Sequence, residues 1–157
     1  MHASASIDIA STPARIFEFL KSPEKAMLWQ TSVTDVQIDT ATSDLVGTTG
    51  RETVSDAKGS LEMRATVVRA EVDRLIAFHV ESRVNSVDVE YSLAPEAANV
   101  RLTQHAEIKW KFPMNLVMLF LGRKTLDGVL RQMSEELNKL KQLVEAGPET
   151  ASPIQRG

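Results

Sequence analysis

From Val33 to Trp110 the chain alternates apolar and polar residues with a period of two, broken by short turn signals. Successive side chains of a strand point to opposite faces, so such a run folds as an antiparallel meander with one wet face and one that must be covered. Val36 and Ile38 mark one strand and Arg51 to Ser55 the next, with a loop around Gly47 and Gly50 between them. Asp56-Ala57-Lys58-Gly59 reads as a hairpin turn. Leu61, Met63, Ala65 and Val67 then share one face, as do Ile76, Phe78 and Val80 after a turn at Asp73-Arg74. Val87, Val89, Tyr91 and Leu93 form a further row; beyond a turn from Pro95 to Asn99 comes the last, from Val100 through Leu102, Gln104, Ala106 and Ile108 to Trp110.

The cover is expected from the segment between Pro113 and about Ala146, closed by Gly147-Pro148, a strong helix stop. Leu126, Val129, Leu130, Met133, Leu137, Leu140 and Val144 fall on one stripe at helical spacing, with Arg131, Glu135, Glu136, Lys139 and Lys141 on the remaining surface. At the other end of the chain, Ala5, Ile7 and Ile9 alternate as a first strand. Ser11-Thr12-Pro13 and Ser22-Pro23-Glu24 each open a short helix, since a hydroxyl can accept from free N–H groups and proline suits the first helical position. Residues 1–147 read as one domain and 148–157 as a flexible tail.

Charge and composition narrow the function. With 157 residues and 43% apolar side chains the chain can bury a core, and its net charge of -3 provides no basic face for nucleic acid. Lacking cysteine, it has no disulfide, thiolate metal site or cysteine nucleophile. No apolar run is long enough for an integral membrane segment, and MHASASIDIA lacks the charged start and apolar core of a signal peptide, so the expected location is cytoplasmic. His2 falls in a start that reads as disordered, and His79 and His105 take the outward parity of their strands. No catalytic or phosphate-binding fingerprint and no metal-ligand spacing occurs, so neither a cofactor nor a metal is expected.

Three stretches carry a family resemblance: Thr12 to Leu20, Ser22-Pro23-Glu24 followed by Trp29, and Val46-Gly47-Thr48 before the third strand. In this order of elements, residues 3 to 146 resemble the START/Bet v 1-like (SRPBCC) superfamily, and within it the bacterial polyketide cyclase/dehydrase-like proteins. The resemblance implies an α+β helix-grip fold: a curved antiparallel sheet of about seven strands wrapped around a long C-terminal helix, with two short helices between the first two strands. It also implies an apolar ligand held between sheet and helix, in a superfamily of which only some members are enzymes.

The candidate ligand-binding residues are Trp29, Met63, Phe78, Tyr91, Gln104, Trp110, Met114, Met118 and Phe120. Tyr91 and Gln104 are polar groups on an otherwise apolar row, and a buried amide without a partner costs about 1–3 kcal/mol. Met114 to Leu121 is apolar nearly all round, which suits an enclosed helix start, a pocket mouth or a contact with another chain. No catalytic residue stands out; Glu52 and Arg64 face inward only if the strand register differs from the simple count. The expected function is binding of a small hydrophobic ligand that is lipid-like, fatty-acid-like or polyketide-like. The alternatives are a cyclase or dehydratase using the same cavity, and a protein-interaction or dimerisation module. Monomer and homodimer both fit this pattern.

Overall fold

The computed structural model describes residues 1–57 and 59–147. Lys58 of the expected hairpin turn, Pro148 and the expected tail lie outside the described residues. The elements run β1 (His2–Ile9), α1 (Pro13–Lys21), α2 (Pro23–Trp29), β2 (Val33–Thr40), β3 (Thr49–Asp56), β4 (Gly59–Glu71), β5 (Leu75–Glu81), β6 (Asn85–Glu96), β7 (Asn99–Trp110) and α3 (Met114–Glu145). All seven strands form one antiparallel sheet in the order β1-β7-β6-β5-β4-β3-β2. The meander therefore occupies the sheet in chain order, and β1 closes it against β7.

Local chemistry sets the first corner. Thr12 accepts from the Arg15 amide at 3.3 Å and Ser22 from the Lys25 amide at 3.4 Å, each followed by a proline at the helix start. Ser22 thus ends α1 and begins α2, and the chain turns there without a linker. Gly50, expected in a loop, lies inside β3. A Cβ at this position would meet the Gln37 carbonyl at 2.7 Å, so glycine permits the close approach of β2. His2 also departs from expectation: it pairs with Glu107 in β1 and stacks on the His105 ring at 6.1 Å, because the β7 edge needs a partner along its length.

The core lies between the sheet and the three helices. Ile9, Ile16, Trp29, Leu102, Leu137 and Leu140 are fully enclosed. A cluster of hydrogen bonds fastens the last turns of α3 to the start of the chain. Arg15 Nε donates to the Val144 carbonyl at 2.9 Å, Lys141 Nζ to the Asp8 carbonyl at 2.6 Å, and the Ala10 amide to Glu145 Oε1 at 2.8 Å. Lys141 Nζ also donates to Glu145 Oε1 at 2.8 Å; this bond first, and the one from the Ala10 amide second, hold the Glu145 carboxyl below its ordinary pKa.

The first turns of α3 are held differently. Leu119 is 79% exposed and Phe120 88%, with Leu116, Val117 and Leu121 also open to solvent. The buried residues of the helix are Met133, Glu136, Leu137, Leu140 and Val144, and Leu126, Val129 and Leu130 pack half-buried against Ala3 and Ala106, so the stripe engages the sheet from Leu126 onward. Glu136 corrects the reading that placed it on the solvated side: it is 7% exposed. Among the described residues, no helix is long and apolar enough to cross a membrane.

Candidate ligand cavity

Beneath α1 and α2 the sheet leaves a partly enclosed cavity of about 160 Å³. Leu20, Ser22, Pro23 and Ala26 form its roof, with Gln30 just beyond α2. Its floor is the inward row of the middle and far strands, from Val36 on β2 across Glu52, Ala65 and Phe78 to Tyr91 on β6. No residue of α3 lines it, although the sequence reading sets the cavity between sheet and C-terminal helix. The reason is the docking of α3, which packs on β1 and β7, while α1 and α2 lie against β2, β5 and β6. Two wider depressions, of about 480 and 530 Å³, lie elsewhere and are lined largely by charged side chains such as Asp39, Arg51, Arg15 and Lys25. Ligand sites are concave and mostly apolar with a few convergent polar groups, which favours the space under α2 despite its smaller volume.

Phe78 and Tyr91 line the cavity. Trp29 and Gln104 stand behind Tyr91 rather than on the wall. The Trp29 indole meets the Tyr91 ring edge-on at 5.9 Å, and Gln104 Nε2 donates to the Tyr91 hydroxyl at 3.2 Å. Gln104 is 7% exposed, so its amide is inward, and the alternation of β7 runs through it without a bulge. Its Oε1 and the Trp29 and Trp110 ring N–H groups are buried without a hydrogen-bond partner among the described residues. Met63, Trp110, Met114, Met118 and Phe120 do not line this cavity.

Glu52 is the polar residue that the sequence pattern left unplaced. On β3 its neighbour Arg51 points outward, where its guanidinium meets Asp39 at 3.1 Å. Glu52 therefore points in, opposite Met63 on β4 and Val36 on β2, and reaches the cavity wall. Burial raises its pKa above the ordinary 4.5, because the charged form loses water. Tyr91 is raised too, first by burial and then by the negative charges of Glu136 and Glu52, while a hydrogen bond from Gln30 opposes the shift. Its phenol stays protonated at any working pH.

This shift makes a prediction with a definite sign. The folded pKa of Glu52 lies above that of the unfolded chain, so between the two values the native state binds more proton. Glu52 then costs stability as pH rises through its folded pKa and costs nothing below the unfolded value. Glu52→Gln is expected to be more stable than the parent at pH 7.5, with the two urea midpoints converging as pH falls below the unshifted value of 4.5. A difference that does not change with pH would show that this carboxyl keeps its water.

The arrangement can hold a small apolar body and present one carboxyl and one phenol to it. Among the described residues, no three histidine, aspartate or glutamate side chains come together to hold a metal ion.

Comparison with known proteins settles the family. Residues 1–145 match the polyketide cyclase / dehydrase and lipid transport family. The chain belongs to this family. Its fold recurs in TTHA0849 from Thermus thermophilus, at 13% identity and a TM-score of 0.76 over 93% of this chain and 98% of that one. A START superfamily protein from Mycobacterium smegmatis aligns at 17% identity and a TM-score of 0.71, over 90% and 98% of the two chains. Ara h 8.0201 aligns at 9% identity and a TM-score of 0.69, over 94% and 99%. At such identities the likeness is one of fold, and the fold is the helix-grip fold of the START/Bet v 1 superfamily. No curated protein matches the chain in sequence.

Proposed function

We propose that the protein binds one small hydrophobic molecule, or the ring or chain end of a larger lipid-like or polyketide-like one, in the cavity beneath α2. The family's character as one of polyketide cyclases, dehydrases and lipid transport proteins is consistent with this. The observation that carries the reading is the cavity itself: partly enclosed, walled mainly by aliphatic and aromatic side chains, and interrupted by polar residues that include Glu52, Tyr91, Gln30, Thr48 and Thr49. Its size limits the occupant. Apolar cavities of about 150 Å³ admit one benzene-sized molecule, whereas drug-sized ligands need roughly 300–1,000 Å³. At about 160 Å³ the site accepts a single ring as it stands, and a longer ligand must leave its remainder outside or part α2 from β2.

Toluene tests this directly. Saturation-transfer NMR is expected to detect its uptake by the parent protein. Ala65→Phe, which places a ring into the space from β4, is expected to weaken uptake by roughly tenfold or more. No transfer to toluene, or transfer indifferent to Ala65→Phe, would defeat the reading. A catalytic role is the alternative that Glu52 favours: a carboxyl with a raised pKa beside a phenol is a pair suited to proton transfer at a carbonyl-bearing substrate. It differs from simple binding in its product, since a short polyketone would leave the protein cyclised or dehydrated rather than unchanged.

A further inference from the structure

The cavity lining carries two charged side chains in different settings. Glu52 sits on the wall itself, and no hydrogen bond or ion pair to it exists among the described residues. The other charged side chain on the lining is Lys21, at the end of α1. Its ammonium is held by Glu18 at 2.8 Å, in a pair open to solvent on both sides. Lys21 therefore pairs with Glu18 at the solvent-exposed edge of the lining and makes no ion pair with Glu52. From α3, Glu136 adds a second negative charge close enough to act on Tyr91. The lining contributions of α2, β2, β4, β5 and β6 carry no ionised group. A molecule in this space thus meets the unpaired Glu52 carboxyl, the Tyr91 phenol, the neutral polar residues Gln30, Thr48 and Thr49, and no buried cation.

We propose that the cavity selects ligands whose polar end is neutral or cationic and donates a hydrogen bond, such as an alcohol, phenol or amine, and that it turns away carboxylates, with Glu52 as the discriminating residue. This rests on the cavity being a ligand site. The physical reason is that the half-buried Glu52 carboxyl has lost part of its water and has no protein donor, so a ligand that supplies an N–H or O–H to it recovers part of what that burial took away. A carboxylate instead brings like charge against like in a site with little water, and either stays out or must first take up a proton. Of the expected ligand classes, free fatty acids drop out, while neutral lipids and hydroxylated ring compounds remain.

Four probes with the same ring and different heads make the test: toluene, benzyl alcohol, benzylamine and benzoate, titrated at pH 7.5 into the full chain and into Glu52→Gln. Benzyl alcohol and benzylamine are expected to bind the parent at least roughly tenfold more tightly than benzoate. In Glu52→Gln the benzylamine advantage is expected to vanish and benzoate to approach benzyl alcohol, with toluene still bound by both proteins. The neutral substitution keeps the side-chain volume, and continued toluene binding reports an intact cavity. Benzoate binding the parent as tightly as benzyl alcohol overturns the proposal and leaves the cavity reading standing. So does a benzylamine preference that survives Glu52→Gln. If none of the four binds, toluene included, the cavity reading falls and takes this proposal with it.

Discussion

Replacing Trp29 by alanine is expected to lower the unfolding free energy by about 3–5 kcal/mol, the usual cost of deleting a large aromatic side chain from a core. The indole is 1% exposed at the end of α2 and stands edge-on to Tyr91 at 5.9 Å. It braces the phenol from behind, so its loss leaves a void that opens towards the ligand space. Trp29→Phe separates packing from hydrogen bonding. The indole N–H has no partner among the described residues, so phenylalanine forfeits no hydrogen bond and is expected to cost less than about 1.5 kcal/mol. Urea denaturation of the three proteins checks both values. Were the phenylalanine variant as damaged as the alanine one, the indole N–H would have a partner that this geometry lacks. Trp29→Ala is also expected to accept probes larger than one ring, which ties the stability loss to the cavity wall.

The second large effect is expected at Glu136. This carboxylate is buried on α3 and its Oε1 accepts from the Thr31 amide at 2.9 Å, the Thr31 hydroxyl at 3.1 Å and Gln132 Nε2 at 3.1 Å. Thr31 lies in the short connection between α2 and β2, so the bonds tie α3 to the two elements that roof and flank the cavity. Hydrogen bonds to charged groups contribute about 1.5–3 kcal/mol each, less where the donors can regain water. Glu136→Ala is therefore expected to cost about 3 kcal/mol in denaturant titration and to speed hydrogen exchange at the Thr31 amide. Glu136→Gln retains an acceptor oxygen and is expected to lose less than half as much. A cost within about 0.5 kcal/mol for Glu136→Ala, the range of ordinary surface changes, would mean that the tether carries no load.

The two acids, Glu136 and Glu52, differ in how far they can be read from the chain. Glu136 falls between Met133 and Leu140 at helical spacing, on the same stripe as Leu137, so its burial was within reach of the periodicity. A charged residue on such a stripe ordinarily reads as solvated, and this one is buried because a set of donors gathers around its carboxylate. Glu52 is a different case. Thr49 to Asp56 carries almost no apolar alternation, and a strand without it has no readable inside. Its parity comes from the pairing of Gly50 with Ala65 and of Glu52 with Met63, rows that only the assembled sheet aligns. The greasy start of α3 is legible as a feature but not as a location. Met114, Met118 and Phe120 belong to a helix whose later half is pinned by Arg15, Lys141 and Glu145, and those clamps connect residues more than a hundred positions apart.

The order of elements, the two hydroxyl-and-proline helix starts, the meander and the stripe of α3 are properties of short windows, because backbone geometry repeats every two or 3.6 residues and composition within a window reports it. The family resemblance rested on local marks of the same kind, and the match of residues 1–145 to the polyketide cyclase / dehydrase and lipid transport family established membership. Where the cavity lies, which acid faces it and the exposure of the first turns of the long helix were decided by tertiary structure alone. They depend on how strands register across the sheet and which helix reaches a given patch of it first, and no stretch of chain contains the other surface it will meet.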